Sequence, residues 1–354
     1  MIKKLSMISL IEIFIKDTIT GKRRKLNAQK IKPQTIENYR NTLKLLREYE
    51  IYSSKKLMIK SNIRDNRTLQ VQEKKRWNEF YHQFSQFLYY KKGCHDNYCG
   101  HVFKIIKCFF RYVVNEKFLP LPGYYNNFYV RKEDIAIVTL LPERLCSLIM
   151  DEKLTRKLNS LQLRCRDIFI FGCISALRFS DLLNLEIRDI ENRGTDFFLN
   201  YRSLKTEARV KVKLPAFAIL IFKKYSPNKN ASDKLFPPVS LYWFNKTLRR
   251  IGLLAGWIEP IGKFRNIDGE PVEFKRNHDI TYRFCDLITS HVMRRTSITV
   301  LLMLGMPEYL VRKISGHSAH SRSFFRYVNF AQSYITDEIS RVHRQLTRLY
   351  KKQA

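Results

Sequence analysis

The sequence predicts a mainly helical protein with a small β-hairpin or sheet, arranged as a helical domain followed by a larger, mixed but mostly helical one. Three observations predict it. Apolar residues recur at helical spacing through much of the chain, as in Ile36, Tyr39, Leu43 and Leu46. Phe197 to Tyr201 and Val210 to Leu214 instead read as two short strands across a polar turn. Phe118-Leu-Pro-Leu-Pro-Gly123 breaks the helical period early in the chain, where a boundary between two domains is expected.

Taken in order, residues 1–30 form an N-terminal helix and a basic segment. Met7, Leu10, Ile11, Phe14 and Ile15 share one helix face, and Glu12, Lys16 and Asp17 interrupt what would otherwise resemble an export signal. Gly21-Lys-Arg-Arg-Lys25 is turn-like and basic. Residues 31–118 carry three stripes: the one opened by Pro33, then Trp77, Phe80, Phe84 and Phe87 or Leu88, then Val102, Ile105, Phe109 and Val113. Between the second and third lie Cys94, His95, Cys99 and His101. A zinc ion is the alternative reading of that cluster, but no second ligand pair follows at finger spacing, and a solvated inter-helix loop is expected. Residues 119–138, polar and aperiodic around Tyr124 to Asp134, read as an interdomain linker. Residues 139–354 form the second domain and its tail helix. Leu141-Pro142-Glu143 starts a helix, Ile168 to Cys173 leads into Ser175-Ala-Leu-Arg178, and Gly262 to Pro271 reads as a loop or hairpin.

Composition narrows the partner. Lys and Arg total 65 against 32 Asp and Glu, a formal charge of +33, spread along the chain. Together with 24 Phe and 19 Tyr, which exclude a disordered basic tail, this points to a folded protein with a polyanionic partner, nucleic acid before a membrane surface. No apolar run approaches the roughly 20 residues of a membrane span. Seven scattered cysteines suit free thiols in a reducing cytoplasm.

The chemistry concentrates between Ile288 and Tyr327. His291 and Arg294 are three apart and share a helix face; Gly316 precedes His317 in a turn; Phe324-Phe-Arg-Tyr327 follows. Arginine offers a planar, permanently charged fork for an oxyanion, histidine a proton exchanged near neutrality, tyrosine an oxygen nucleophile. Each alone is more often structural or a solvated surface residue; the constellation carries the signal.

This stretch resembles the C-terminal signature of the tyrosine recombinases, the phage integrase family: an H-x-x-R box, a G-H box and a tyrosine soon after. Ser175-Ala-Leu-Arg178-Phe-Ser-Asp181-Leu is similar to that family's upstream arginine box, and Lys205-Thr206 to its hairpin lysine. Two details depart from the pattern. Ser175-Ala176 stands where Thr-Gly is common, and Tyr327 follows His317 by one residue more than usual, so that Arg326 occupies the habitual tyrosine position.

The resemblance implies a helical SAM-like core DNA-binding domain over 31–118, clasping one face of a duplex; Lys91, Lys92, Lys104, Lys107 and Arg111 are candidate phosphate contacts, and a solvated face is the alternative reading of the same residues. It implies a catalytic set of Arg178, Lys205, His291, Arg294, His317 and Tyr327, acting on double-stranded DNA without metal, ATP or other cofactor. Tyr327 would attack phosphorus, Arg178, Arg294 and His317 would hold the non-bridging oxygens, Lys205 would protonate the leaving 5′-hydroxyl and His291 would assist at the phenol. A site-specific recombinase of the integrase type is expected, cytoplasmic and nucleoid-associated, assembled as a homo-tetramer on paired sites with accessory DNA-bending or directionality proteins. A type IB topoisomerase-like strand transferase and a catalytically silent DNA-binding regulator are the alternatives. Beyond Tyr327, the apolar residues Ile335, Ile339, Val342, Leu346 and Leu349 form a helical stripe, with Arg341, Arg344 and Arg348 on other faces. It would pack on its own domain or, as family members often do, on a neighbouring protomer.

Overall fold

A computed structural model of the chain describes residues 3–63, 66–203, 209–277, 279–318 and 320–353. They form two compact units, one running to Ile135 and including Phe264–Glu273, the other made of Ala136–Lys263 and the residues from Phe274 onward. The chain therefore passes between units three times.

The first unit is helical. β1 (Lys3–Ser6) leads into α1 (Met7–Ile19), whose N-terminus is capped by the Ser6 hydroxyl, and pairs antiparallel with β2 (Met58–Ser61). α2 (Pro33–Ser53), α3 (Arg67–Gln86) and α4 (Asp96–Asn115) bury the expected stripes: Tyr39, Leu43 and Leu46; Trp77, Phe80 and Phe84; Val102, Ile105, Phe109 and Val113. The core is dominated by aromatic rings. Trp77 stacks on Tyr124 with centroids 5.3 Å apart and meets Phe110 edge-on at 5.1 Å.

Tyr124 belongs to the stretch 119–138 that reads from sequence as an interdomain linker. Leu121, Tyr124, Tyr125 and Phe128 are all buried in this core. Gly123–Asn127 within this stretch is a short 3-10 helix, too brief for a sequence period to reveal, and its packing is supplied by these large side chains. Lys107, a candidate phosphate contact, donates to the carbonyls of Asn126 (2.9 Å) and Phe128 (3.1 Å) and so pins this segment instead. Lys92 pairs with Glu48 at 2.7 Å, whereas Lys104 and Arg111 are exposed. Cys94 is half-buried and Cys99 buried; among the described residues no three His, Cys, Asp or Glu side chains gather as a metal site requires.

The second unit is built on α7 (Ser160–Ser175), preceded by α5 (Pro142–Met150) and α6 (Glu152–Lys157). α8 (Phe179–Leu183) follows, then an antiparallel sheet in the order β3 (Ile190–Arg193), β4 (Asp196–Arg202), β5 (Arg209–Lys213). The expected strand pair is present, with Val210 buried and Lys211 and Lys213 exposed. α9 (Ala216–Tyr225) and α10 (Leu241–Leu254) pack over α7. The short pair β6 (Pro260–Ile261) and β9 (Tyr282–Arg283) brackets a hairpin, β7 (Lys263–Ile267) with β8 (Glu270–Phe274). α11 (Ser290–Met303), α12 (Glu308–Ser315) and α13 (Arg322–Gln353) complete the chain. Gly172 on α7 lies directly beneath Met293, so a side chain there would collide with the Met293 thioether and force it to repack. Among the described residues no helix is long and apolar enough to cross a membrane.

The β7–β8 turn is the Asp268-Gly269 pair, both with positive φ (54° and 93°), the geometry of a tight two-residue hairpin turn. Its contacts assign the hairpin to the first unit. Glu133, its side chain 2% exposed, receives Arg265 Nη2 (2.7 Å) and Nε (3.0 Å) and the Asn266 amide (2.5 Å). The Gly269 amide donates to Asp96 at 3.1 Å, and Arg131 pairs with Asp268 at 2.5 Å. Burial works to raise the Glu133 carboxyl, but Arg265 and the amides outweigh it and hold it below its ordinary value of 4.5. Glu133→Ala is expected to cost about 2–3 kcal/mol by denaturant unfolding, below the usual cost of a broken buried pair because Arg265 keeps some solvent contact. Since the folded value is depressed, the pair's contribution is complete above about pH 4.5 and is lost as pH falls through the folded value; the variant's unfolding curves should lack that dependence.

Candidate active site

The site is assembled where α7, α11, α12 and α13 end or begin. α7 closes at Ala176, held left-handed at φ 55°. Such a conformation costs a non-glycine residue roughly 1–2 kcal/mol, which is why glycine suits the position better. The turn delivers Arg178, half-buried, to the start of α8. Arg178 Nη1 donates to Ser203 Oγ at 3.5 Å, Ser203 donates to Asp181 at 3.0 Å, and Arg178 lies 4.0 Å from the Asp181 carboxylate. Asp181 and Ser203 are 1% and 4% exposed, so the hydroxyl relays a buried carboxylate to the guanidinium.

α11 presents His291 in its first turn, exposed, and Arg294 one turn later, 4% exposed. Arg294 Nη1 donates to the Ala176 carbonyl at 2.6 Å and Nη2 to the Ser315 carbonyl. These carbonyls lie at the C-terminal ends of α7 and α12, where helices leave acceptors without partners and carry partial negative charge. One guanidinium thus caps two helices. Burial, then the neighbouring Arg178, push its pKa down to about 10, which leaves it charged at neutrality.

α12 ends with Gly316 left-handed at φ 60°, and the His317 amide returns to the Arg312 carbonyl at 3.0 Å. The His317 ring is fixed by Ser315 Oγ, 2.8 Å from Nδ1. Burial, followed by Arg294 and Arg178, pushes its pKa down to about 4, so it is neutral in the free site. On α13, Phe324 and Tyr327 are both buried, three residues apart on one face, with Tyr327 centred 6.1 Å from the His317 ring. Arg326 is half-buried one step round the helix. Helical phase, more than residue count, therefore decides which side chain faces inward. Tyr309 is 69% exposed, and Tyr334 donates to Glu143 at 2.8 Å.

Of the residues singled out from sequence, Arg178, Arg294, His317 and Tyr327 are brought together, and His291 is near enough to bear on His317 electrostatically. Lys205, with Thr206, lies outside the described residues. Ser203 and Ser315 also belong to the site; both are short polar residues beside recognisable boxes, and nothing local in the sequence marks them as partners.

The description of the phage integrase family matches residues 143–333, more than half of the chain. The chain belongs to the phage integrase family. This integrase is thereby a tyrosine-type site-specific recombinase, and no curated protein sequence matches it. Solved structures are similar in fold. The XerH site-specific recombinase bound to difH substrate aligns with a TM-score of 0.53 at 16% identity, over 90% of this chain and 81% of that one. The Tn1549 transposon integrase with circular intermediate DNA gives 0.57 at 14% over 91% and 95%. A lambda integrase dimer bound to a COC′ core site gives 0.57 at 13% over 92% and 95%.

The lowered His317 pKa has a consequence for stability. The unfolded chain, with an ordinary value of 6.5, binds more protons than the integrase between about pH 4 and 6.5. Stability attributable to this group therefore rises with pH across that window and falls on acidification. Denaturant midpoints of wild type and His317→Gln, compared from pH 4 to 7, should diverge from each other across that window; parallel curves would show the histidine titrates normally.

Proposed function

We propose that the integrase cuts and rejoins double-stranded DNA through a covalent 3′-phosphotyrosine on Tyr327, with neither metal nor ATP. The observation that carries this reading is a buried phenol beside His317, with Arg294 and Arg178 close enough to act electrostatically on that imidazole. In the reaction, Tyr327 Oη forms a bond to phosphorus as the bond to the 5′-oxygen breaks. Negative charge develops on the non-bridging oxygens, and Arg178, Arg294 and His317 stabilise it by charge-assisted hydrogen bonds. The arginines supply the positive charge that divalent ions provide in two-metal nucleases. Lys205 gives the leaving 5′-oxygen its proton, and His291 assists removal of the phenolic one. The phosphotyrosine conserves the energy of the broken ester, so a second 5′-hydroxyl can attack it and reseal the strand.

The charge of +33 supports a DNA partner, as do the DNA-bound states of the XerH, Tn1549 and lambda proteins. Tyr327→Phe removes one hydroxyl and no charge. On a nicked suicide duplex it should form no protein–DNA adduct while binding as well as wild type; an adduct that persists would move the nucleophile elsewhere, with Tyr334 next to be tested.

We further propose that the integrase acts as a tetramer on paired sites, assisted by DNA-bending or directionality proteins. α13 packs on α11 through Phe324, Tyr327 and Ala331, but beyond Ile335 its apolar stripe is open: Ile339, Val342 and Leu346 are 49%, 46% and 57% exposed. The side chains of Arg348 and Leu349 lie outside the described residues. A stripe of this kind suits docking on a second protomer. Deleting Asp337 to Ala354 should leave single-site binding intact in gel-shift assays and abolish the paired-site complex. A truncated protein that is insoluble without DNA would assign the stripe to its own subunit.

A further inference from the structure

Ser315, 1% exposed in the last turn of α12, holds two members of the site at once. Its carbonyl accepts from Arg294 Nη2, and its hydroxyl meets His317 Nδ1 at 2.8 Å. The direction of the second bond follows from the destination of the hydroxyl proton. Ser315 Oγ lies 2.6 Å from the Val311 carbonyl and 3.4 Å from that of Arg312. Carbonyls only accept, and serine in a helix commonly donates to the carbonyl four residues back. With its single proton committed to the main chain, Ser315 Oγ turns a lone pair toward the imidazole. Nδ1 then carries the ring proton of the neutral histidine, and Nε2 carries the lone pair.

We propose that Ser315 is a positioning residue that fixes His317 as the Nδ1–H tautomer, so that His317 can donate to a phosphodiester oxygen only after Nε2 takes a proton from solvent, which links phosphodiester binding to proton uptake. The second half rests on the reading of the site as one that binds a DNA phosphodiester. In the step itself one proton moves from solvent to Nε2, the Nδ1–H bond to Ser315 persists, and no bond between heavy atoms changes.

Electrostatics favour the same sequence of events. His317 is faced by Arg294 and His291 on α11, Arg178 before α8, Arg312 on α12 and the Tyr327 phenol on α13. Asp181 is the acidic group of the Arg178 network, held through Ser203. Burial, and then Arg294, Arg178 and Arg312, oppose a further charge on the ring in the DNA-free site. An anionic phosphodiester within reach of both Arg178 and Arg294 reverses that balance and favours the imidazolium.

The test has two arms. Imidazole ¹⁵N spectra of the full, DNA-free protein at pH 7 should show His317 protonated at Nδ1 and bare at Nε2. Ser315→Ala keeps the carbonyl that holds Arg294 but removes the acceptor, so the ring should shift toward the Nε2–H form. Ser315→Thr, which retains a hydroxyl, should keep the wild-type tautomer, and it carries the comparison if the alanine variant does not fold. A wild-type ring protonated at Nε2, or a tautomer indifferent to Ser315→Ala, overturns the assignment whether or not the enzyme cuts DNA. In the second arm, a duplex that wild type converts to an adduct is titrated into Tyr327→Phe protein in buffers of different ionisation enthalpy between pH 6 and 7. Net proton uptake is expected, reduced in a Ser315→Ala, Tyr327→Phe double variant; no uptake on a duplex that wild type cleaves overturns the linkage. With Tyr327 restored, Ser315→Ala should slow single-turnover cleavage by about 10- to 100-fold, by analogy with the loss of a partner that orients a metal-ligating histidine. Its pH profile should also be displaced, which a loss of packing alone would not produce.

Discussion

The buried guanidinium of Arg294 is the constraint on which the catalytic unit depends. A charged group withdrawn from water must be compensated or it destabilises the fold by several kcal/mol. Here the compensation is the carbonyl at the C-terminal end of α7, Ala176, and that at the end of α12, Ser315. The same bonds satisfy acceptors that each helix would otherwise leave open. Because the side chain spans both ends, the exit of α7 toward Arg178 and the exit of α12 toward His317 are fixed relative to α11. Gly172 completes the arrangement by letting Met293, the residue before Arg294, lie against α7.

The electrostatics of the site follow from that geometry. Burial above all, and then Arg294, Arg178 and Arg312, keep His317 neutral, and His291 acts in the same sense. Asp181 offsets part of this charge through Ser203, at a distance that leaves the Arg178 fork with directions to spare. The result is a preorganised cationic surface around a buried phenol, suited to a polyanion that brings its own negative charge.

The first unit solves a different problem. Its core is built from aromatic rings whose large areas let even the short 3-10 turn after α4 join it, through Tyr124, Tyr125 and the adjoining Phe128. The same unit receives the β7–β8 hairpin through the carboxylates of Glu133 and Asp96. The polypeptide is thereby threaded between the units three times, which a single flexible joint would not require.

What the sequence by itself determined is what local periodicity and short spacing encode. The stripes of α1 to α4, the strand pair β4–β5 and the helix shared by His291 and Arg294 are all consequences of side chains a few residues apart. So are the boxes around Arg178 and Gly316-His317, whose order along the chain was enough to place it among the integrases. Only tertiary structure decided the rest, because it depends on groups far apart in the chain. Glu133 is joined to Arg265 across 132 residues and Arg294 to Ala176 across 118, and no periodicity records such pairs. Tyr327 faces inward because α13 begins where it does, which sets the helical phase that residue counting alone misses. Ser203 and Ser315 owe their importance to the guanidinium and imidazole that folding brings against them; a hydroxyl acquires a direction only once its acceptors are in place.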